Sequence, residues 1–171
     1  MIENHILEEI KEYGANVLNS DVFKKSFEQT HHVYTSLGWH IIDVAVVSLR
    51  LCDKFNITNP EIRRNITVAS LCHDLGMVGR YEKYANNLIC AHRHPGDGVE
   101  VFRSIYTEKN RRVENAIKRH MFPIGLIMPI HIEGFILILS DKICACMEVR
   151  KKSPIELAYF DAIYDIVMAE A

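Results

Sequence analysis

A histidine and an aspartate stand side by side inside an apolar run, in the stretch Ala-Ser-Leu-Cys-His-Asp-Leu-Gly at residues 69–76. Burying ionisable groups costs free energy unless they are paired or bound to a metal ion. The neighbouring sequence offers no single cation that would pair with Asp74. The stretch therefore predicts a buried metal ion that is held by residues from segments far apart in the chain.

Three more histidines and a second aspartate have suitable surroundings for such a site. His40 heads the apolar stripe of a helix predicted over residues 37–55. His94 stands before a proline, His120 shares a helical face with two apolar residues, and Asp141 lies inside an apolar helical run. Metal ions that activate water take neutral imidazoles and carboxylates and keep coordination positions open. The predicted metal ligands are His40, His73, Asp74, His94, His120 and Asp141.

Each of these residues also has a simpler interpretation. A lone histidine on an apolar helical face is usually a hydrogen-bonded core residue. Asp141 would then be the ion-pair partner of Lys142 or of an arginine. Adjacent residues on a helix do not face each other, so we expect Lys142 to be a poor partner for Asp141. Ligation of a metal is therefore the preferred interpretation of Asp141.

The ordered series of histidine, His-Asp, two histidines and aspartate resembles the HD-domain superfamily of metal-dependent phosphohydrolases, over roughly residues 30–150. The segments 117–123 and 140–142 resemble a subgroup of small bacterial HD hydrolases. In HD enzymes with two metals, two histidines between the His-Asp pair and the last aspartate serve the second ion, and His94 and His120 fall in those positions. The resemblance implies that Asp74 and His73 are catalytic, with Asp74 orienting the attacking hydroxide.

The chain departs from many HD proteins in the segment that follows the His-Asp pair. Those proteins often place a lysine there that meets phosphate, whereas this chain has Met77 and Val78. We expect the irregular segment 77–93 to form either a rim of the active site or a solvated surface connection. His32 and His92 would support the ligands or line the rim, unless they are ordinary surface histidines. The candidate phosphate contacts are Arg80, Lys83, Arg93 and Lys142.

Helical spacing runs through nearly the whole chain, and strand signals are scarce. The predicted fold is one all-α domain over 1–171, an HD-type bundle of about seven or eight helices around a buried metal site. Its core would span about 30–150, with flanking N- and C-terminal helices, the last over 155–168. We expect one helix over residues 60–75 and another that begins at Pro95, after an extended backbone at His94.

Composition limits the class of protein and its partners. The 171 residues carry a formal net charge of −2, so neither a nucleic-acid polymer nor a membrane surface is predicted as a partner. The acidic N-terminus is not a signal peptide, and the longest apolar stretch is too interrupted for a span of about 20 residues. Five cysteines with apolar neighbours predict small core residues instead of disulfides. The expected location is cytoplasmic.

The resemblance implies a metal-dependent phosphohydrolase, a phosphoric ester or anhydride hydrolase that acts on a small phosphorylated molecule, with a nucleotide as the first candidate. The expected cofactors are two divalent ions of iron, manganese or zinc, with magnesium as a further option. No P-loop, dinucleotide-binding glycine pattern or serine elbow competes with this interpretation. The alternatives are a non-catalytic, nucleotide-sensing HD module and a di-iron oxygenase of the HD type. The sequence predicts no oligomeric state.

Overall fold

The computed structural model describes residues 4–32 and 35–149, with only the backbone at 31, 32 and 149. The side chain of His32 and the helix predicted over 155–168 lie outside the described residues, and the one-domain extent 1–171 stays a prediction. The described part is all-α, as predicted, with eight α-helices. They are α1 Asn4–Leu18, α2 Asp21–Ser26, α3 Leu37–Lys54, α4 Pro60–Cys72, α5 Arg80–Lys83, α6 Asn87–Ile105, α7 Arg111–Arg119 and α8 Ile132–Val149.

Short elements other than α-helices join the helices. Strands β1 Thr30–His32 and β2 Thr35–Ser36 pair antiparallel between α2 and α3. A 3-10 turn over Leu75–Met77 follows α4. Among the described residues, no helix combines the length and the apolar character that crossing a bilayer requires.

Polar side chains fix where the helices around the site begin. Asn59 accepts hydrogen bonds from the backbone at Glu61 and Ile62, at 2.9 and 3.1 Å, and Pro60 occupies the first helical position of α4. Asn86 caps α6 and Asn110 caps α7 in the same way. A cap satisfies backbone donors that the first turn leaves unpaired and contributes about 1 kcal/mol. The chain therefore encodes these three helix starts locally.

Helix α3 lies at the centre of the bundle and packs against α1, α4 and α8. Nearly every residue from Leu37 to Leu49 is buried. Because each fully buried Leu or Ile contributes about 1.5–3 kcal/mol, these contacts dominate the stability of the core. The cysteines at 52, 72, 90 and 144 are buried as predicted, whereas Cys146 is exposed, so its assignment to the core was wrong.

The predicted helix over 60–75 is wrong at its C-terminal end. Helix α4 ends at Cys72, and Asp74 leaves the helical conformation with φ −107° and ψ 1°. The turn brings Gly76 against α6, where a Cβ on Gly76 would lie 2.3 Å from the carbonyl oxygen of His94. Such a close approach needs a residue without a side chain. The His-Asp pair therefore lies on a tight turn packed on α6.

The predicted start of a helix at Pro95 is also wrong. Pro95 is inside α6, which begins eight residues earlier at Asn87. His94 is consequently helical, not extended. The cap at Asn86 starts the helix before the proline is reached, and a buried face with Cys90, His94 and Val99 holds the helix onto the core. These tertiary contacts outweigh the hydrogen bond that an interior proline removes.

We predict opposite effects for two glycines of α6. A Cβ at Gly98 would lie 2.9 Å from the carbonyl oxygen of His73, whereas a Cβ at Gly96 meets nothing within 4 Å. Gly98→Ala should destabilise the protein by about 1–3 kcal/mol because backbone must move. Gly96→Ala should be neutral or stabilising by up to about 1 kcal/mol, since alanine favours helices. Thermal unfolding of the two variants checks this, and equal melting temperatures would contradict the close packing of α6 on the turn.

Candidate metal centre

All six predicted ligands converge in the core. His40 comes from α3, His73 and Asp74 from the turn after α4, and the remaining three from three further helices. His94 lies within α6, His120 is the C-terminal cap of α7, and Asp141 lies within α8. Each of the six is at most 7 % exposed. Five segments far apart in the sequence therefore meet at one buried point.

The carboxylate of Asp74 lies between two sets of histidines. Its Oδ1 is 3.2 Å from Nε2 of His94 and 3.3 Å from Nε2 of His120. Its Oδ2 is 3.5 Å from Nε2 of His73 and 3.8 Å from Nε2 of His40. Each oxygen of one carboxylate thus faces its own pair of imidazoles.

Asp141 completes one of the two sets. Its Oδ1 is 3.3 Å from Nε2 of His40 and 4.0 Å from Nε2 of His73. We call His40, His73, Asp141 and Oδ2 of Asp74 the inner group. We call His94, His120 and Oδ1 of Asp74 the outer group. In both the His40–His73–Asp74 and the Asp74–His94–His120 sets, donor atoms lie within 4.8 Å of one another, close enough for one metal ion each.

A hydrogen bond donated by Nδ1 fixes the orientation of every ring. Nδ1 of His73, His94 and His120 lies 2.7–2.8 Å from a backbone carbonyl oxygen three or four residues earlier. A carbonyl oxygen only accepts, so Nδ1 carries the proton in these rings and Nε2 of the neutral imidazole carries a lone pair. Nδ1 of His40 lies 2.7 Å from Oε1 of Glu148 instead. All four Nε2 atoms therefore face the two carboxylates.

The donor atoms fit divalent metal ions. Nε2 of His94 and Nε2 of His120 are 3.0 Å apart, and two lone pairs at that distance repel unless a proton or a cation lies between them. Nε2 of His73 is buried without a hydrogen-bond partner among the described residues. A buried polar atom without a partner costs about 1–3 kcal/mol. An ion in each group would satisfy these atoms.

Burial and charge shift the pKa values of the centre in opposite directions. Burial alone lowers the pKa of His40, but hydrogen bonds with Asp141 and Glu148 outweigh it and raise the pKa to about 10. For His73, burial prevails and lowers the pKa to about 4. Burial would raise the pKa of Asp74 and of Asp141, yet the neighbouring histidines lower both. The carboxylates are therefore anionic, and in the metal-free protein His40 carries a proton at neutral pH.

A cavity of about 230 Å³ opens onto the outer group. Asp74, His94, His120 and Asp141 line it, while His40 and His73 do not. Among the candidate phosphate contacts, the structure brings Arg80 and Lys142 to its wall. Lys83, Arg93 and His92 are exposed and are not brought to this cavity.

Lys142 pairs with Asp141, contrary to expectation. Its Nζ lies 2.6 Å from Oδ2 of Asp141. The Cβ atoms of adjacent helical residues diverge, but the long lysine side chain is flexible enough to fold back. Because Oδ2 faces Lys142 while Oδ1 faces His40, the two interpretations of Asp141 are compatible.

Sequence reasoning missed two side chains near the centre. Glu148 follows Asp141 by seven residues on α8, a spacing of two turns that places both on one helical face and was a usable signal. Gln29 holds the loop after the His-Asp turn, since its amide donates to the carbonyl of Met77 and accepts from the backbone N–H of Gly79, both at 2.9 Å. No local pattern marks Gln29, because both partners lie about 50 residues away.

Comparison with known proteins agrees with this geometry. A family model described as the HD domain matches residues 38–146, a span that contains all six converging residues. Neither a curated protein nor a solved structure matches the chain. The matched span covers more than half of the 171 residues, and the chain therefore belongs to the HD domain family.

Proposed function

We propose that this protein is a metal-dependent phosphohydrolase that acts on a small phosphorylated molecule, with a nucleotide as the first candidate. The HD domain places the chain in a superfamily of metal-dependent hydrolases. The observation that carries the proposal is the position of Asp74, whose two oxygens face two histidine pairs beside a cavity. This arrangement suits a reaction in which a carboxylate organises two cations next to a bound anion.

Two divalent ions would occupy the centre. His40, His73, Asp141 and Oδ2 of Asp74 would hold the first, and His94, His120 and Oδ1 of Asp74 the second. Such a pair supplies an acidified water molecule and positive charge for the attacking and leaving oxygens of a phosphoryl group. Iron, manganese and zinc all accept these nitrogen and oxygen ligands.

Side chains around the centre would orient the attacking oxygen and bind the phosphate. Asp74, anionic because its pKa is lowered by the histidines around it, orients the attacking oxygen and accepts hydrogen bonds from it. Because its pKa is lowered to about 4, His73 is neutral at pH 7. It therefore keeps an Nε2 lone pair directed at the centre. Arg80 and Lys142 contact the phosphate from the cavity wall, and Nε of Arg80 is a buried donor without a partner among the described residues. Lys83 and Arg93 stay predictions as phosphate contacts, and His92 stays a prediction as a residue that supports the ligands or lines the rim.

A second cavity supports a nucleotide as substrate. It has a volume of about 340 Å³ and shares Arg80, Asn87 and Cys90 with the cavity at the metal centre. Two aromatic side chains, Tyr81 and Tyr84, line it. Aromatic faces and amides suit a base, which needs stacking and hydrogen-bond partners. The phosphate would then lie at the metal centre and the organic part beside Tyr81.

Phosphate release from nucleotides tests the function. Purified protein with Mn²⁺ should release phosphate from nucleoside monophosphates under anaerobic conditions, which separates hydrolysis from oxygenation.

Asp74→Ala should lower kcat by roughly 10²-fold or more, because charge stabilisation is lost, while circular dichroism stays helical. Asp21→Ala, an exposed carboxylate distant in sequence, serves as the control. Full activity in Asp74→Ala would exclude the proposed centre, and a wild type without turnover would favour a sensing module.

Two basic residues of α5 provide a matched pair for phosphate binding. Arg80 lines the cavity, whereas Lys83, three residues later, is exposed and does not. Arg80→Ala should raise KM about 10- to 100-fold, since a hydrogen bond to a charged group contributes about 1.5–3 kcal/mol. Lys83→Ala should change KM less than about threefold, as expected for a screened surface charge. The reverse order of the two KM effects would place phosphate at the outer rim.

Metal uptake should release protons. His40, with a pKa raised to about 10 by its carboxylate partners, is protonated at pH 7 and must lose that proton to become a ligand. We expect about one proton released per inner ion at pH 7, and apparent affinity that rises with pH until about pH 10. Calorimetry in buffers of different ionisation enthalpy measures the proton count. His92→Ala, an exposed histidine, should leave the count unchanged, and a count of zero in the wild type would show that His40 is neutral without metal.

A further inference from the structure

Helix α8 places a carboxylate on each nitrogen of one imidazole. Asp141 and Glu148 are two turns apart on the same face. Oδ1 of Asp141 lies 3.3 Å from Nε2 of His40, and Oε1 of Glu148 lies 2.7 Å from Nδ1 of the same ring. The side chains of His40 and Glu148 are 0 % and 2 % exposed. The ring of His40 is therefore held between two side chains of a single helix, away from solvent.

Glu148 distinguishes His40 from the other three histidines. Their Nδ1 atoms donate to neutral backbone carbonyls of residues 70, 90 and 117. A carboxylate that accepts a hydrogen bond from a ligating imidazole fixes the ring and makes its other nitrogen a stronger ligand for the metal ion. Removing such a partner typically weakens metal binding 10- to 100-fold. Among the side chains that the structure describes, only the inner group contains a histidine whose Nδ1 contacts a carboxylate.

Charge and access also separate the two groups. Two carboxylate oxygens, from Asp74 and Asp141, face the inner group, with Glu148 behind it. One carboxylate oxygen faces the outer group. The histidines of the inner group do not line the 230 Å³ cavity, whereas His94 and His120 do. Once His40 has released its proton, a cation in the inner group therefore meets more negative charge and less water, which strengthens its attraction.

We propose that Glu148 is a positioning residue that makes the inner group the tighter of two metal sites, so that the inner ion binds first and the outer ion exchanges with the cavity. This inference rests on the two ions of the proposed function. Residue 148 lies beyond the span 38–146 that the HD domain model matches. The role of Glu148 is therefore inferred from its contact with His40 in this structure. The outer ion would be replenished from solution, while the inner ion stays bound between turnovers.

The test is a titration of metal-free protein with Mn²⁺ alone, followed by metal analysis after dialysis. The wild type should bind two ions with affinities at least tenfold apart and keep about one ion per chain. Glu148→Gln retains an oxygen that accepts from Nδ1 but removes the charge, and it should weaken the tight step about 10- to 100-fold with the weak step unchanged. His94→Asn should lose only the weak step.

Two further variants keep the result interpretable. Glu133→Gln changes another buried carboxylate of α8, which contacts Asn65 and Arg112 and none of the six candidate ligands, and both Mn²⁺ affinities should stay as in the wild type. If Glu148→Gln fails to fold, Glu148→Asp retains the charge at a shifted position and should weaken the tight step to a smaller extent. Melting temperatures of the metal-free proteins verify folding.

The possible failures are distinguishable. A tight step unchanged in both Glu148 variants, or a change confined to the weak step, overturns the role of Glu148. Two equal affinities in the wild type overturn the order of binding. In each of these cases, phosphate release by the wild type would leave the proposed function intact. A wild type that binds no Mn²⁺ and releases no phosphate contradicts the proposed function itself.

Discussion

The need to balance the charge of one buried carboxylate among four imidazoles is the constraint on which this structure depends. Asp74 is 4 % exposed, and an isolated buried carboxylate would be costly. Four histidines face it, two at each oxygen. Because three of them donate from Nδ1 to backbone carbonyls, the balancing positive charge comes from protonated His40 or would come from bound metal ions. The four histidines come from α3, α6, α7 and the turn itself, so the charge of Asp74 lies where these elements meet.

The geometry of that centre is produced mostly by local backbone. His73 and His120 each follow the end of a helix, and each ring donates to a carbonyl three residues back. His94 does the same over four residues inside α6. Helix ends have carbonyls without intrahelical partners, so a histidine there finds an acceptor without a long-range contact. His40 is the exception, because its partner is 108 residues away on α8.

The six converging residues were proposed as ligands from two signals in the sequence. His73, Asp74 and Asp141 are ionisable groups in apolar segments, and the order of the whole series, with His94 and His120 between them, resembles that of HD enzymes. Sequence reasoning failed where tertiary packing decided the outcome. Helix α4 stops at Cys72 so that Gly76 can approach α6, and α6 continues through Pro95 because a cap and a buried face outweigh the proline. The ion pair between Lys142 and Asp141 was not expected, because the Cβ atoms of adjacent helical residues diverge. The long lysine side chain nevertheless reaches the carboxylate. Glu148 was overlooked although its spacing from Asp141 indicated a shared face.

The fixed rings have a consequence for the speed of metal uptake. Because hydrogen bonds already hold each Nδ1, an entering ion finds the imidazoles oriented and the protein loses little side-chain entropy. The proton on His40 and the ion's own hydration shell then remain as the main obstacles. Because magnesium dehydrates reluctantly, we expect it to enter a preorganised centre with nitrogen ligands more slowly than iron, manganese or zinc. Abundance of magnesium would not suffice to fill the centre before scarcer ions that release water more readily.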